Sequence, residues 1–398
     1  MKNRVLITNA QIVMPDRIIP QGQLIVEEGC IDKINRRSEN RGADMGDIID
    51  AEGSYLLPGF IDIHSDAIEK EIEPRPGAYF DPDLAFVELE KKLAGQGITT
   101  MFHSFSLAGA EWGVREDANA AWIIRRIVDA SRHRTMIRNK VHIRFEITNF
   151  PGVDTVKELL EDGMASLLSF MDHTPGQGQY PTVDDYRRYM EKTYHLPFAQ
   201  IEQVLAAKEK GRRMSPATIE KLRQAAVANQ IPMASHDDDS PAKVAFYQER
   251  GVTINEFPVH LEAVLCARRL GNDVCVGAPN IVRNGSTGKA MRALDAILEG
   301  NANLICSDYY PPALLHAVFK LGTEHLSLCE AVSMASLNPA RAAGLSGLGS
   351  LEEGKQADLI IVNTRGGRPV VTHTIVDGVL VYAVNYRVKQ DEAREQSA

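Results

Sequence analysis

Short runs of β-branched and apolar residues alternate with stretches of helical periodicity through the middle of the chain. The predicted strands there include residues 97–102, 252–256, 273–277 and 303–307. Two helices are predicted at 83–96 and 116–130, and Phe86, Leu89 and Leu93 recur at helical spacing in the first. The strands are continuous apolar runs, as expected for a parallel sheet that helices cover on both faces. About eight such strand–helix units predict an α/β fold of the TIM-type (β/α)8 barrel class.

Both ends of the chain show short strands separated by turn residues. These predicted strands are residues 5–7, 23–26, 30–34, 358–362, 372–376 and 379–382. Asp377-Gly378 between the last two is a strong hairpin signal. We therefore expect a small β-sandwich domain built from residues 1–57 and 349–385, with the barrel formed by residues 58–348.

One barrel connection is longer than a strand–helix unit requires. The excess lies between His173 and His236, at about residues 174–228, and contains a Gly/Pro-rich run and at least two predicted helices. One of these helices is predicted to begin at Ser215-Pro216, an N-cap followed by proline. An insertion on the catalytic face of the predicted barrel indicates a lid or a substrate-binding segment. Residues 386–398 are predicted to form a charged tail.

The composition narrows the functional classes. The 398 residues are 44% hydrophobic and carry a formal net charge of −9, which argues against a general nucleic-acid surface. The first residues lack the apolar core of a signal peptide and no long apolar run follows, so we expect no signal peptide, no membrane partner and a cytoplasmic enzyme. The five cysteines form no C-x-x-C pair and are interpreted as reduced thiols. The oligomeric state stays open, and a homo-oligomer is compatible with the sequence.

Side chains that bind metals stand at the ends of the predicted strands. In chain order they are His64, Asp66, Glu146, His173, His236 and Asp308. The C-terminal strand ends of a TIM barrel form its active-site face, so we expect these side chains to converge. Imidazoles and carboxylates are ligands for divalent metals, and a metal site there predicts hydrolysis. Glu146 is the candidate bridge between two ions, and Asp308 is the candidate metal ligand and general base.

Other polar residues receive structural interpretations. Five histidines are interpreted as structural residues and not as ligands, namely His133, His195, His316, His325 and His373. For His103 a packed structural role is favoured over a ligand or phosphate contact. Asp237–Asp239 is interpreted as the start of a helix, with Asp237 as a candidate partner of His236. Cys306 is interpreted as strand packing. GSTGK is no Walker A loop, because Arg283 occupies the required first glycine position.

Several longer strings carry a resemblance to a known family. They are HSDAIEKEIEPRPG, SFMDHTPGQGQY, ASHDD, GAPNIVRNGS and SDYYPP. With the LLPGFID entry to the first barrel strand, they resemble the amidohydrolase superfamily and, within it, the PhnM branch of bacterial phosphonate breakdown. The resemblance implies hydrolysis of α-D-ribose 1-alkylphosphonate 5-triphosphate to the 5-phosphate and pyrophosphate. It also carries the six metal ligands over to this chain.

The resemblance further implies divalent ions and a phosphorylated sugar as the small-molecule partner. Two ions are expected, of zinc, manganese, nickel or iron. Asp66 stands where much of the superfamily has a second histidine, and its harder oxygen shifts the metal preference from zinc alone towards manganese, nickel or iron. A triphosphate needs cations, and Arg75 and Arg283 are the candidate phosphate-binding residues, ahead of Lys70 and Lys289. The alternative is hydrolysis of an amide or cyclic amide at the same metal site. A metal-free scaffold is disfavoured, since all six ligand positions carry competent side chains.

Overall fold

The computed structural model describes residues 4–385, except 37–45, 76, 110–112, 177, 179, 181, 195–196, 213–214 and 287–289. The predicted tail at 386–398, together with His195 and Lys289, lies outside the described residues.

The strands and helices alternate along most of the chain. The strands are β1 (Arg4–Val13), β2 (Ile18–Glu27), β3 (Cys30–Arg36), β4 (Asp47–Asp50), β5 (Tyr55–Pro58), β6 (Phe60–Ser65), β7 (Ile98–Leu107), β8 (Arg138–Glu146), β9 (Leu167–Met171), β10 (Met233–His236), β11 (Ile254–Glu256), β12 (Asp273–Gly277), β13 (Leu304–Cys306), β14 (Leu359–Asn363), β15 (Val370–Val376) and β16 (Val379–Ala383). The α-helices are α1 (Ala67–Ile72), α2 (Pro82–Gly95), α3 (Asp117–Ser131), α4 (Val153–Glu161), α5 (Val183–Tyr194), α6 (Phe198–Arg212), α7 (Ser215–Ala228), α8 (Pro241–Gln248), α9 (Leu261–Arg269), α10 (Ala278–Arg283), α11 (Ala293–Leu298), α12 (Pro312–Glu324), α13 (Leu328–Ala335) and α14 (Leu337–Ala342).

Strands β6 to β13 form one parallel sheet in sequence order, which confirms the predicted TIM-type barrel. The sheet closes just beyond β13, where the backbone N–H of Asp308 donates to the carbonyl of His64 at 3.0 Å. The N–H of Asp66 donates in turn to the carbonyl of Asp308 at 3.0 Å. Barrel closure therefore places the two ends of the predicted ligand series next to each other.

The remaining strands form a second sheet from both termini, as predicted. Its order is β16-β15-β14-β5-β1-β2-β3, with β4 beside β1. Because side chains alternate along a strand, β14 serves two cores. Leu359 and Ile361 pack into the sheet's own hydrophobic cluster, whereas Ile360 and Val362 pack into the barrel's cluster. The predicted hairpin is present, and Asp377 takes the positive φ of 50° that this turn requires. The division into domains at residues 57 and 348 stays a prediction.

The long connection between β9 and β10 contains α5, α6 and α7, and α7 begins at Ser215 as predicted. Tyr180, Tyr186, Met190, Ile201 and Val204 form a small separate hydrophobic cluster in this insertion. Among the described residues, no helix combines the length and apolar character needed to cross a membrane.

Candidate metal centre

A cavity of about 770 Å³ opens between the barrel mouth and the insertion. Four predicted metal ligands line it, namely Asp66, His173, His236 and Asp308. The other two lie directly behind this surface. Glu146 Oε2 is 3.2 Å from His173 Nδ1, and the ring centres of His64 and His236 are 5.4 Å apart. The structure therefore brings all six residues to one end of the barrel.

Glu146 and His173 form a buried charged pair. The backbone N–H of His173 donates to Glu146 at 3.2 Å, and Lys208 Nζ from α6 lies 3.5 Å from Glu146 Oε1. Burial alone raises the pKa of Glu146, but the Lys208 ammonium and the His173 ring outweigh burial and bring this pKa to about 2. Glu146 is therefore a carboxylate at neutral pH, the form in which it can bind a cation.

His173 lies between two carboxylates, which favour a positive charge there. Its Nδ1 faces Glu146, and its Nε2 is 3.6 Å from Asp237 Oδ2. Burial lowers the pKa of His173, yet hydrogen bonds with Asp237 and Glu146 raise it to about 9. The surroundings of this imidazole therefore suit a cation, whether a proton or a metal ion supplies the charge.

Asp237 completes a candidate ligand group with His173 and His236. The ligand atoms of the three residues lie within 4.8 Å of one another. Asp237 follows β10 with a φ of 54°, a left-handed conformation that aspartate tolerates better than most residues. The helix predicted to start at the aspartate run begins at Pro241, with Ser240 as its N-cap. Asp237 precedes this helix and lines the cavity. Its proximity to His236, proposed from the sequence, is borne out by a separation of 3.3 Å between Nδ1 and Oδ2.

A second candidate group consists of His64, His236 and Glu256. Glu256 is the last residue of β11 and is fully buried. Its Oε1 lies 2.9 Å from His64 Nδ1, and Ser169 Oγ donates to its Oε2 at 2.8 Å. Sequence reasoning missed Glu256, although an acidic residue at the end of a predicted strand was the available signal.

Asp66 and Asp308 form the third part of the site. Asp66 makes an ion pair with Arg115 Nη2 at 3.3 Å, while its Oδ1 is buried without a hydrogen-bond partner. Burial and the nearby Asp66 raise the pKa of Asp308 to about 7. Asp308 also takes a positive φ, of 57°. Strained aspartates at strand ends are typical of functional positions.

These residues fit a divalent metal ion. The donor set mixes imidazoles with carboxylates, the set that zinc and its neighbours in the first transition row prefer. Asp66 Oδ1 is buried without a hydrogen bond, and a bound cation would satisfy this atom.

The two predicted phosphate-binding arginines occupy different surroundings. Arg283 is exposed, and its Nη1 donates to the hydroxyl of Tyr309 at 3.1 Å. Tyr309 lines the cavity, which places Arg283 at its rim. Arg75 is also exposed, but it is absent from the described lining residues. Lys70 Nζ lies 5.0 Å from the centre of the Tyr309 ring.

Three cationic side chains that sequence reasoning did not single out line the same cavity. They are Arg115, Arg144 and Lys208. A signal was available for Arg144 only, because it lies two residues before Glu146 in one strand and so shares its face. Arg115 and Lys208 come from a connection and from the insertion, where no strand register indicates direction.

His103 and Cys306 have the structural roles that the sequence favours. His103 is buried and its Nε2 is 2.8 Å from Asn139 Oδ1, and burial lowers its pKa to about 4. Cys306 is fully buried in β13, where burial raises the pKa of the thiol. Neither residue is among those that line the cavity in the described part of the chain.

Comparison with known proteins agrees with this architecture. The model of the amidohydrolase family matches residues 148–381. Alpha-D-ribose 1-methylphosphonate 5-triphosphate diphosphatase of Escherichia coli (strain K12) is 30% identical over 388 residues, which cover 95% of this chain and 100% of that protein. The chain belongs to the amidohydrolase family.

More distant amidohydrolase-like proteins extend the comparison. Adenine deaminase of Geobacillus kaustophilus is 25% identical over 382 residues, covering 91% of this chain and 55% of that protein. The crystal structure of N-acetylglucosamine-6-phosphate deacetylase from Pasteurella multocida matches with a TM-score of 0.59 at 15% identity, covering 95% of this chain and 99% of that one. This structural likeness supports the fold of the present amidohydrolase and carries no information about its substrate.

Proposed function

We propose that this amidohydrolase hydrolyses α-D-ribose 1-alkylphosphonate 5-triphosphate to the 5-phosphate and pyrophosphate. The observation that carries the proposal is one cavity that joins the candidate metal ligands to Arg115, Arg144 and Lys208. A neutral amide needs no such set of cations, whereas a triphosphate does. The name of the Escherichia coli relative, which aligns along its whole length, points to the same substrate.

Two divalent ions, of zinc, manganese, nickel or iron, are part of the proposal. The residues that would hold them are His64, Asp66, Glu146, His173, His236 and Asp308, with Asp237 as an additional carboxylate. When bound, such ions polarise phosphoryl oxygens and make water more acidic. The reaction is proposed to take place in the cytoplasm, on a soluble phosphorylated sugar.

The proposed reaction is attack of water on the α-phosphorus of the triphosphate. A bond forms between the water oxygen and this phosphorus, and the bond from the phosphorus to the oxygen that bridges to the β-phosphorus breaks. Pyrophosphate leaves with the electron pair of that bond. Asp308, which follows the last barrel strand and lies beside Asp66 where the barrel closes, is the proposed acceptor of the proton of the water.

The protein's cations stabilise the charge that develops on the leaving group. Arg144 and Lys208 approach from the barrel and the insertion, and Arg283 stands at the rim beside Tyr309. Arg75 is proposed as a further phosphate contact from the loop after α1. Guanidinium groups suit this task because their N–H groups pair with phosphate oxygens two at a time.

The direct test is phosphorus NMR of the metal-loaded protein with ribose 1-methylphosphonate 5-triphosphate. Appearance of pyrophosphate and the 5-phosphate in equal amounts is expected. ATP serves as a control for nonspecific triphosphate hydrolysis and should turn over more slowly. Survival of the ribose triphosphate in the presence of bound metal would contradict the proposed substrate.

Hydrolysis of a carbon–nitrogen bond is the second candidate. The likeness to an adenine deaminase favours it, because that reaction class needs metal and a base but no polyphosphate site. Release of ammonia from adenine, or of an amine from an amide or a cyclic amide, distinguishes the candidates. Replacement of Arg75 or Arg283 should then leave turnover of a neutral amide unchanged.

A further inference from the structure

Arg144 extends into the interior of the barrel mouth. It lies in β8 between His142 and Glu146, and the alternation of a strand directs all three to the same face. Its Nη2 lies 3.2 Å from Nε2 of His236 and donates to this nitrogen. A guanidinium therefore stands among the candidate metal ligands.

The charge of Arg144 is not balanced by a carboxylate in contact. Among the described residues, none of the Asp or Glu oxygens lies within 4.0 Å of its guanidinium. Its Nε is buried and has no hydrogen-bond partner. A cation in this state loses hydration without an ion pair to offset the loss, so it is poised for an anion from outside the chain.

The two other cations in the cavity differ from Arg144 in this respect. Arg115 Nε donates to Glu69 at 2.7 Å, and Lys208 Nζ lies beside Glu146. Their charges are therefore partly balanced in the protein, whereas the charge of Arg144 is left for a ligand. A polyanion that enters the cavity meets all three cations, and it meets Arg144 next to the metal ligand His236.

We propose that Arg144 binds a phosphoryl oxygen of the substrate through its guanidinium N–H groups. This inference rests on the proposed function and specifies which residue holds the triphosphate at the metal centre. Its position on a barrel strand, instead of a loop, fixes the donors relative to His236 and Asp308. A phosphoryl group held there lies against the residues that carry out the reaction.

Calorimetric titration of the metal-loaded protein with inorganic tripolyphosphate tests this proposal without turnover. We expect Arg144→Met to weaken binding about 10- to 100-fold, as expected for loss of charge-assisted hydrogen bonds. Arg144→Lys keeps the positive charge but loses the paired N–H donors of the guanidinium group, so it should weaken binding less than Arg144→Met. Arg125→Met, in α3 and with 41% of the arginine side chain exposed, is the matched control and should bind like the wild type. Metal content, measured by mass spectrometry, should be the same in all four proteins.

Three results would overturn the proposal. Arg144→Met with wild-type affinity for tripolyphosphate is the first, and loss of metal in parallel with loss of binding is the second. Tighter binding of glutarate than of tripolyphosphate by the wild type is the third, because it would make Arg144 a carboxylate site. If Arg144→Met does not fold, unchanged affinity in Arg144→Lys counts against the proposal and a several-fold loss supports it. Arg144-dependent binding without hydrolysis of the ribose triphosphate would refute the proposed reaction alone.

Discussion

Glu256 Oε1 lies 2.9 Å from Nδ1 of His64, and both side chains are almost completely inaccessible to solvent. A carboxylate on Nδ1 holds the proton on that nitrogen and leaves the lone pair of Nε2 for a metal. Burial keeps the pKa of His64 well below its usual value, so the ring is neutral, as a ligand must be. Glu256 therefore positions His64, and Ser169 holds the second oxygen of Glu256.

Replacement of Glu256 by glutamine should lower metal affinity by about 10- to 100-fold, the usual effect of losing a carboxylate behind a histidine ligand. Competition with a chromophoric chelator measures this affinity without any substrate. Glu262→Gln, on the exposed surface of α9, is the control. Wild-type affinity in Glu256→Gln would mean that the tautomer of His64 is set by other contacts.

Asp308→Asn should abolish turnover while metal stays bound. Asparagine keeps an oxygen at this position but cannot accept a proton, and loss of a general base lowers the rate by about 10²- to 10⁴-fold. Single-turnover kinetics and metal analysis of the same sample separate the two effects. Turnover near the wild-type rate would assign the proton to another acceptor.

Hydrolysis in ¹⁸O-labelled water should place the label in the 5-phosphate and leave pyrophosphate unlabelled. Attack at the α-phosphorus has this result because pyrophosphate spreads its charge over two phosphoryl groups and is the better leaving group. The isotope shift in the phosphorus NMR spectrum identifies the labelled product. Label in pyrophosphate would show attack at the β-phosphorus, with cleavage of the bond between the β-phosphorus and the bridging oxygen.

The two arginines proposed for phosphate binding should differ in effect. Arg283 is joined to the cavity through Tyr309, so Arg283→Gln should raise KM for the triphosphate about tenfold, the value of one charged hydrogen bond. Arg75 is absent from the described lining residues, so Arg75→Gln should raise KM less. Steady-state kinetics of both variants show which substitution raises KM more. A larger effect at Arg75 would indicate that its loop contacts the substrate.

His103 should make the stability of the protein depend on pH in the acid range. Its pKa is about 4 in the folded chain and about 6.5 in an unfolded one, so between these values only the unfolded chain binds the proton. This contribution is fully present above pH 6.5 and decreases as the pH falls to 4. Its upper limit is about 3 kcal/mol, at 1.36 kcal/mol for each pKa unit.

The substitution His103→Gln, which keeps an N–H donor for Asn139, should flatten this dependence. Denaturant unfolding at pH 7 and pH 4.5 provides the comparison. His133→Gln, whose histidine side chain is 76% exposed, should leave the pH dependence as it is in the wild type. An equally steep loss of stability in His103→Gln would assign the effect to another group.

The sequence alone was sufficient for the barrel, for the sheet from both termini and for the common location of the six candidate ligands at one end of the barrel, while metal binding by them stays a prediction. These features depend on local patterns. Apolar runs define strands, and the residue at the end of a parallel strand lies at the mouth of the barrel whatever the details of packing. Asp273–Gly277 was predicted with its observed bounds, and α2 differs from its prediction by a residue at either end.

The tertiary structure alone decided which further side chains belong to the site. Glu256 meets His64 across 192 positions of sequence, and Lys208 reaches Glu146 from an inserted helix. Asp237 enters the cavity because its backbone turns left-handed after β10, which a run of aspartates before a helix does not reveal. A strand pattern specifies the face of a side chain, but its partners follow from barrel closure and the packing of the insertion.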